Sequence, residues 1–146
     1  MRKIILAASL FTLLLVVIHA CSKKNDSNPA NARTVQNLSG RYNLISLTAS
    51  VLGQNINLYD SLPACEQDNV VILKSDMTAQ FVDSGKVCVP PSDSTGTWTI
   101  SPNMDTVYVS GTPSIIQSWD GKTLILNNNE TVSGFPVIAT STFVKQ

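Results

Sequence analysis

The chain has 146 residues, no net charge and a single histidine, with 43% hydrophobic and 14% charged residues. That length fits one domain and leaves no room for two. Fifteen of the apolar residues lie in the first 20, and the remaining 126 hold 48, a share ordinary for a small globular domain and too high for a disordered chain.

Arg2 and Lys3 precede an apolar run over residues 4–18. The run is shorter than the roughly 20 residues a membrane-spanning helix needs, so residues 1–20 read as a cleaved signal peptide. It ends Ile18-His19-Ala20-Cys21, and a small residue directly before a cysteine resembles the lipobox of bacterial lipoproteins. The resemblance implies that Cys21 is lipidated and becomes the first mature residue. Each buried acyl methylene adds about 0.8 kcal/mol of membrane affinity, so two or three chains would hold the protein on a membrane essentially permanently. Residues 21–37 then read as a lipidated flexible tether, because 22–37 have almost no large apolar side chain with which to offset the entropy of ordering.

From Leu38 onward the domain carries five Lys and Arg against nine Asp and Glu. Such an acidic surface lacks the basic stripe that nucleic-acid binding needs, so no nucleic-acid partner is expected. Short apolar runs recur between turn signals every 8 to 14 residues, and no window keeps a helical period for three turns. The chain predicts strands over 42–49 and 54–59 around Gly53, over 70–73 and 78–82 around Ser75-Asp76, and over 97–100 and 106–109 around Pro102-Asn103. The strongest hairpin signal joins 115–119 to 123–126 through Asp120-Gly121-Lys122, since Asp-Gly supplies the positive φ angles of a tight reversal. A last strand over 137–145 is long enough to close against the first, which would hide both edges in an up-and-down (meander) β-barrel of about 8–10 strands. The one helical turn expected lies near Leu62-Pro63-Ala64-Cys65, where Asp60 or Ser61 could cap and Pro63 has no amide hydrogen to lose.

With Cys21 lipidated, Cys65 and Cys88 are two cysteines in an oxidising compartment, and a structural disulfide is the economical reading. Their 22 intervening residues match neither a C-x-x-C redox motif nor a zinc-ligand pattern. His19 is the only histidine and leaves with the leader, which removes the usual general base and the commonest transition-metal ligand. The nine carboxylates sit mostly beside turn residues, whose local hydrogen bonding accounts for them. The sequence Asn127-Asn128-Asn129-Glu130, read as a loop, offers oxygens suited to calcium at a spacing that matches no known calcium loop. No catalytic residue, metal or cofactor is therefore expected, and the chain does not read as an enzyme.

The pattern Leu38-Ser39-Gly40-Arg41-Tyr42-Asn43-Leu44, then Ala64-Cys65-Glu66-Gln67-Asp68-Asn69, a strand with a turn and Phe81, Lys86-Val87-Cys88, and Gly96-Thr97-Trp98-Thr99-Ile100 resembles the lipocalin-like domain of small Bacteroidota lipoproteins. Tyr42 stands where that family usually has Trp. The resemblance covers residues 38–146 and implies an all-β lipocalin-like barrel with an internal cavity, in a family whose members are largely uncharacterised; it carries no activity. It places the protein in the cell envelope at the outer membrane. The periplasmic face is favoured over the cell surface, because Ser-Lys-Lys-Asn-Asp after Cys21 is not the acidic run that resembles a surface-export signal.

Tyr42, Phe81, Trp98, Trp119 and Phe143 are assigned inward, as core or as ligand lining. Gln117 shares an alternating face with Ile115 and Trp119; on an inward face its amide would need partners, which makes it a candidate polar ligand contact. Two functions from different classes follow. One is a membrane-tethered module that binds a small apolar or amphipathic ligand in the barrel. The other is a protein-interaction module of the envelope, an accessory subunit or inhibitor, with a side-chain-filled core and rim loops at 90–95 and 127–134 presented to a partner protein.

Overall fold

The computed structural model describes residues 29–146; the expected signal peptide and lipidated Cys21 lie outside the described residues. Nine strands form: β1 (Gly40–Val51), β2 (Gln54–Asn57), β3 (Val70–Leu73), β4 (Thr78–Val82), β5 (Ser94–Ile100), β6 (Thr106–Val109), β7 (Thr112–Trp119), β8 (Thr123–Val132) and β9 (Phe135–Lys145). Every pairing is antiparallel, and β9 returns to β1 to close an eight-stranded meander barrel. Closure pairs the two end strands of the meander with each other, which covers the usual hazard of an open sheet edge.

β2 stands outside the meander. One edge of β1 is divided, with residues 40–43 pairing with β3 and residues 48–51 pairing with β2. The chain returns from β2 to β3 through a 3-10 turn, Tyr59–Ser61, and one helical turn, α2 (Ala64–Gln67). Tyr59 and Gln67 brace this return, with Tyr59 Oη donating to the Gln67 carbonyl at 3.1 Å and Gln67 Nε2 donating to the Leu62 carbonyl at 3.0 Å.

The turns follow from their residues. Asp120 Oδ1 accepts from the Lys122 and Thr123 amides at 2.8 and 2.6 Å, so the carboxylate itself closes the β7–β8 reversal. The β6–β7 and β8–β9 turns, Ser110-Gly111 and Ser133-Gly134, have positive φ at both central residues. That conformation matches the twist of a two-residue hairpin, and glycine adopts it without a Cβ penalty.

One end of the barrel is plugged. Thr34 Oγ1 accepts from the Asn37 amide and caps α1 (Val35–Leu38), a single turn that delivers Leu38 into the core with no exposed surface. Tyr42, Trp98 and Trp119 complete this layer, and each donates to a main-chain carbonyl: Tyr42 Oη to Leu38 at 2.7 Å, Trp98 Nε1 to Lys74 at 2.7 Å and Trp119 Nε1 to Ala30 at 3.2 Å. Lys145 Nζ covers the plug from β9, donating to the Asn37 carbonyl at 2.8 Å and lying 5.8 Å from the Trp119 ring centre. The packed domain thus includes residues N-terminal to Leu38. Residues 29–37, expected to be flexible tether, are held because Val35 and Leu38 find apolar partners and the Ala30 carbonyl finds the Trp119 indole. Such long-range partners are invisible to composition.

The opposite end carries the β1–β2, β6–β7 and β8–β9 turns, together with α2 and the long β4–β5 connection. Cys65 of α2 and Cys88 of that connection form the disulfide, with a Cα–Cα distance of 5.1 Å. Asp83 orders the same loop, accepting from the Cys88 amide (3.0 Å to Oδ2) and the Ser92 amide (2.9 Å), while Asp93 Oδ1 accepts from the Asp83 amide at 2.9 Å.

Candidate functional site

Cross-strand partners in a ladder point to the same side of a sheet, so the register identifies the barrel's lining. The pairs Tyr42 with Val71, Val71 with Phe81, Val107 with Ser114, Leu126 with Ser141, and Leu124 with Phe143 all face inward. They enclose a chamber of about 140 Å³. Its floor is Tyr42, Leu73, Leu124 and Phe143, directly above the plug; Val71, Phe81, Val107, Val109 and Leu126 form the walls. The polar lining consists of Ser114, Asn128 and Ser141, and among the described residues no charged side chain lines the chamber.

Burial pushes the Tyr42 phenol above its ordinary range, because desolvation penalises the phenolate. Its hydroxyl already donates to Leu38 and is not free for a ligand. A second, shallower recess of about 400 Å³ lies towards the disulfide end, bounded by Leu44, Leu47, Leu62 and Val70, and it shares Val71 and Phe81 with the chamber. Those two side chains border both spaces.

The structure brings together three of the residues expected at a ligand site, namely Tyr42, Phe81 and Phe143, around the chamber. Trp98 and Trp119 are buried among the core residues and do not line it. Their indoles fill the plugged end.

Gln117 is a correction. It is exposed, because it follows the inward-facing Ser114 and Ile116 on β7, and the bulge between Ile116 and Ser118 is what turns Trp119 onto the other face from Gln117. One inserted residue reverses the alternation beyond it, so Ile116 and Trp119 face inward while Ile115 and Gln117 face out. The segment Asn127-Asn128-Asn129-Glu130 is also corrected: it is not a loop but the second half of β8, paired with residues 137–140 of β9. Only Ser133-Gly134 turns there, so the rim loop expected over 127–134 reduces to that dipeptide. Strand continuation turns Asn128 into the chamber, a site residue the sequence reading missed. The alternation Leu124, Leu126, Asn128 would have revealed it had the strand not been ended at Leu126.

The carboxylates act in turns and loops, as their neighbours implied. Asp76 accepts from the Thr78 amide at 2.9 Å, and Asp105 binds Thr106, Ser101 and Asn103. Hydrogen bonds to their charged forms hold Asp76, Asp105 and Asp120 below the usual carboxylate range.

Compared with known proteins, the chain matches no family model, no curated protein and no solved structure. The closed barrel and its chamber therefore carry the functional reading by themselves.

Proposed function

We propose that this chain is a lipocalin-like envelope lipoprotein, lipidated at Cys21, whose barrel holds one small apolar or amphipathic molecule. The observation that carries the proposal is the chamber itself, of about 140 Å³, walled by apolar side chains above a fully packed plug. Small barrels of about eight strands have interiors either filled by side chains or just wide enough for one small ligand. An apolar cavity of about 150 Å³ stays dry and takes up benzene or xenon in another protein, which sets the scale of occupant to be sought. The outer recess beyond Val71 and Phe81 offers room for the remainder of a longer amphipathic molecule.

Native mass spectrometry of the protein extracted from membranes tests the reading, with a co-purifying small molecule as the expected result. A xenon-pressurised crystal with no density in the chamber, together with no adduct, would remove it. Lipidation is tested separately by incorporation of labelled palmitate, which Cys21→Ser should abolish.

A second reading, an interaction module for an envelope protein, draws on one observation. β1, β8 and β9 run ten to twelve residues whereas β3, β4 and β6 run four or five, and the far tips of the long strands expose Val132 (53%) and Phe135 (51%). Crosslinking from intact envelope distinguishes the readings: a reproducible partner lost on Phe135→Ser would support the interaction module.

A further inference from the structure

Charge is divided along the barrel axis. Among the described residues, the plugged end holds Arg33, Arg41, Lys74, Lys122 and Lys145 against Asp76, Asp105 and Asp120, a side-chain charge of +2. The other half, from the Tyr59–Ser61 turn and α2 to the β4–β5 connection and the far part of β8, holds Asp60, Glu66, Asp68, Asp83, Asp93 and Glu130 against Lys86, a charge of −5. The main-chain carboxylate of Gln146, beside Arg41, takes one charge from the positive end and leaves the contrast in place. The plug-end cations surround the docked residues 29–39: the Lys122 carbonyl accepts from the Lys145 amide at 2.8 Å, and Leu73, next to Lys74, pairs with Gly40. Arg41, Lys74 and Lys122 are exposed, and the β3–β4 and β5–β6 turns at this end present the exposed Met77 and Met104. Cations interspersed with single apolar tips suit the headgroup level of a bilayer, where the charges meet phosphate and the apolar tips enter the interface.

Chain length points the same way. Pro29 lies under the plug, its carbonyl accepting from Asn37 Nδ2 at 2.6 Å, and Cys21 precedes it by eight residues. Eight residues reach at most about 28 Å. The twelve residues of β1 run about 36 Å, or about 28 Å along the barrel axis at a strand tilt of about 40°. A barrel standing mouth-down would need the whole of that reach to lead from the plug back to the membrane, whereas a barrel standing on its plug needs almost none of it. Resting on the lipidation at Cys21 proposed above, we infer that the barrel stands on its plugged end against the anionic headgroups of the leaflet that holds its acyl chains, with the chamber mouth and the long-strand tips turned away. Leu52, Val89 and Phe135 are exposed at the far end, but the carboxylates around them are repelled by an anionic leaflet.

The test uses the protein purified from membranes with its lipid and reconstituted into vesicles of phosphatidylcholine alone or mixed with phosphatidylglycerol, each carrying a trace of lipid with a dansyl headgroup. Both tryptophans of the chain, Trp98 and Trp119, lie in the plug, so energy transfer from tryptophan to dansyl reports how close the plug comes to the headgroups. The expected result is greater transfer in the phosphatidylglycerol vesicles, with the excess lost at about 1 M salt, where the screening length falls to about 3 Å. The exposed pair Lys74→Gln and Lys122→Gln should also lose it, since each cation near an anionic surface shifts the balance of orientations about fivefold. Flotation with both kinds of vesicle but equal transfer in the two, or less in the anionic one, would overturn the docking and leave the anchor standing. A chain that floats with neither would overturn the lipidation, and this inference with it.

Discussion

The two ends of the barrel are built on different principles. The plugged end is a close-packed layer in which Leu38, Tyr42, Trp98 and Trp119 are all buried and every aromatic polar atom donates to a main-chain carbonyl. The far end holds its loops by a covalent clamp and by the Asp83 carboxylate, and the space beneath contains a chamber lined by apolar side chains with Ser114, Asn128 and Ser141. Packing at one end frees the other from carrying the fold. A binding site can tolerate voids and unmet polar groups only where stability is secured elsewhere.

If that division is right, the largest loss should come from the plug. Trp98→Ala removes a fully buried indole and one of the two donors to the Lys74 carbonyl, the Met77 amide remaining, for an expected cost of about 3–5 kcal/mol measured by urea denaturation. A loss under about 1 kcal/mol would mean that the plug does not dominate stability. Next is the clamp. Replacing both Cys65 and Cys88 by Ser frees a loop with a sequence separation of 23, worth about 3.5 kcal/mol by chain entropy. The hydrogen bonds of Asp83 to the Cys88 and Ser92 amides should keep the measured loss below that ceiling.

Tyr42→Phe should cost about 1–2 kcal/mol, because the Leu38 carbonyl loses its donor inside the core. It also gives a signature in pH. The folded-state pKa of Tyr42 is raised above its ordinary value of 10.0 by burial, so the unfolded chain loses its phenolic proton first as pH rises. The stability tied to the neutral phenol is fully present below pH 10 and declines from there towards the folded-state value. Unfolding curves across pH 9–11 should show a decline for the parent chain that is shallower in Tyr42→Phe; superimposable profiles would refute the assignment.

The smallest effect has the opposite sign. Asn128→Leu replaces a side chain whose buried carbonyl oxygen has no partner by an apolar one bordering an apolar chamber, and should raise stability by about 1 kcal/mol. A destabilised variant would show that Asn128 supports the fold.

Much of the barrel was legible from local signals. Asp120-Gly121 announced its hairpin, the last strand was long enough to close on the first, and two cysteines remained to be paired once Cys21 was assigned to the lipid. Half of the expected site residues line the chamber because alternation gives the face correctly on a stretch of strand clear of a bulge, and Tyr42 precedes the one between Leu44 and Ser46. That holds for Tyr42 on β1, Phe81 on β4 and Phe143 on β9. Gln117 failed for a reason of the same kind, since one unpaired residue reverses the rule without any marker in composition. Asn128 was missed because three consecutive asparagines resemble a loop until a long partner strand pairs with them.

What the sequence determined alone was therefore the set of local choices: where the chain reverses, which segments extend, and which residue types are available to the interior. These depend on φ preferences and a period of two, both properties of neighbouring residues. Tertiary structure decided the division of one β1 edge between β2 and β3, the docking of residues 29–37 beneath the barrel, and the burial of the Asn128 carbonyl oxygen without a partner. Each of these depends on partners far away in the chain, whose register is fixed only when the barrel closes.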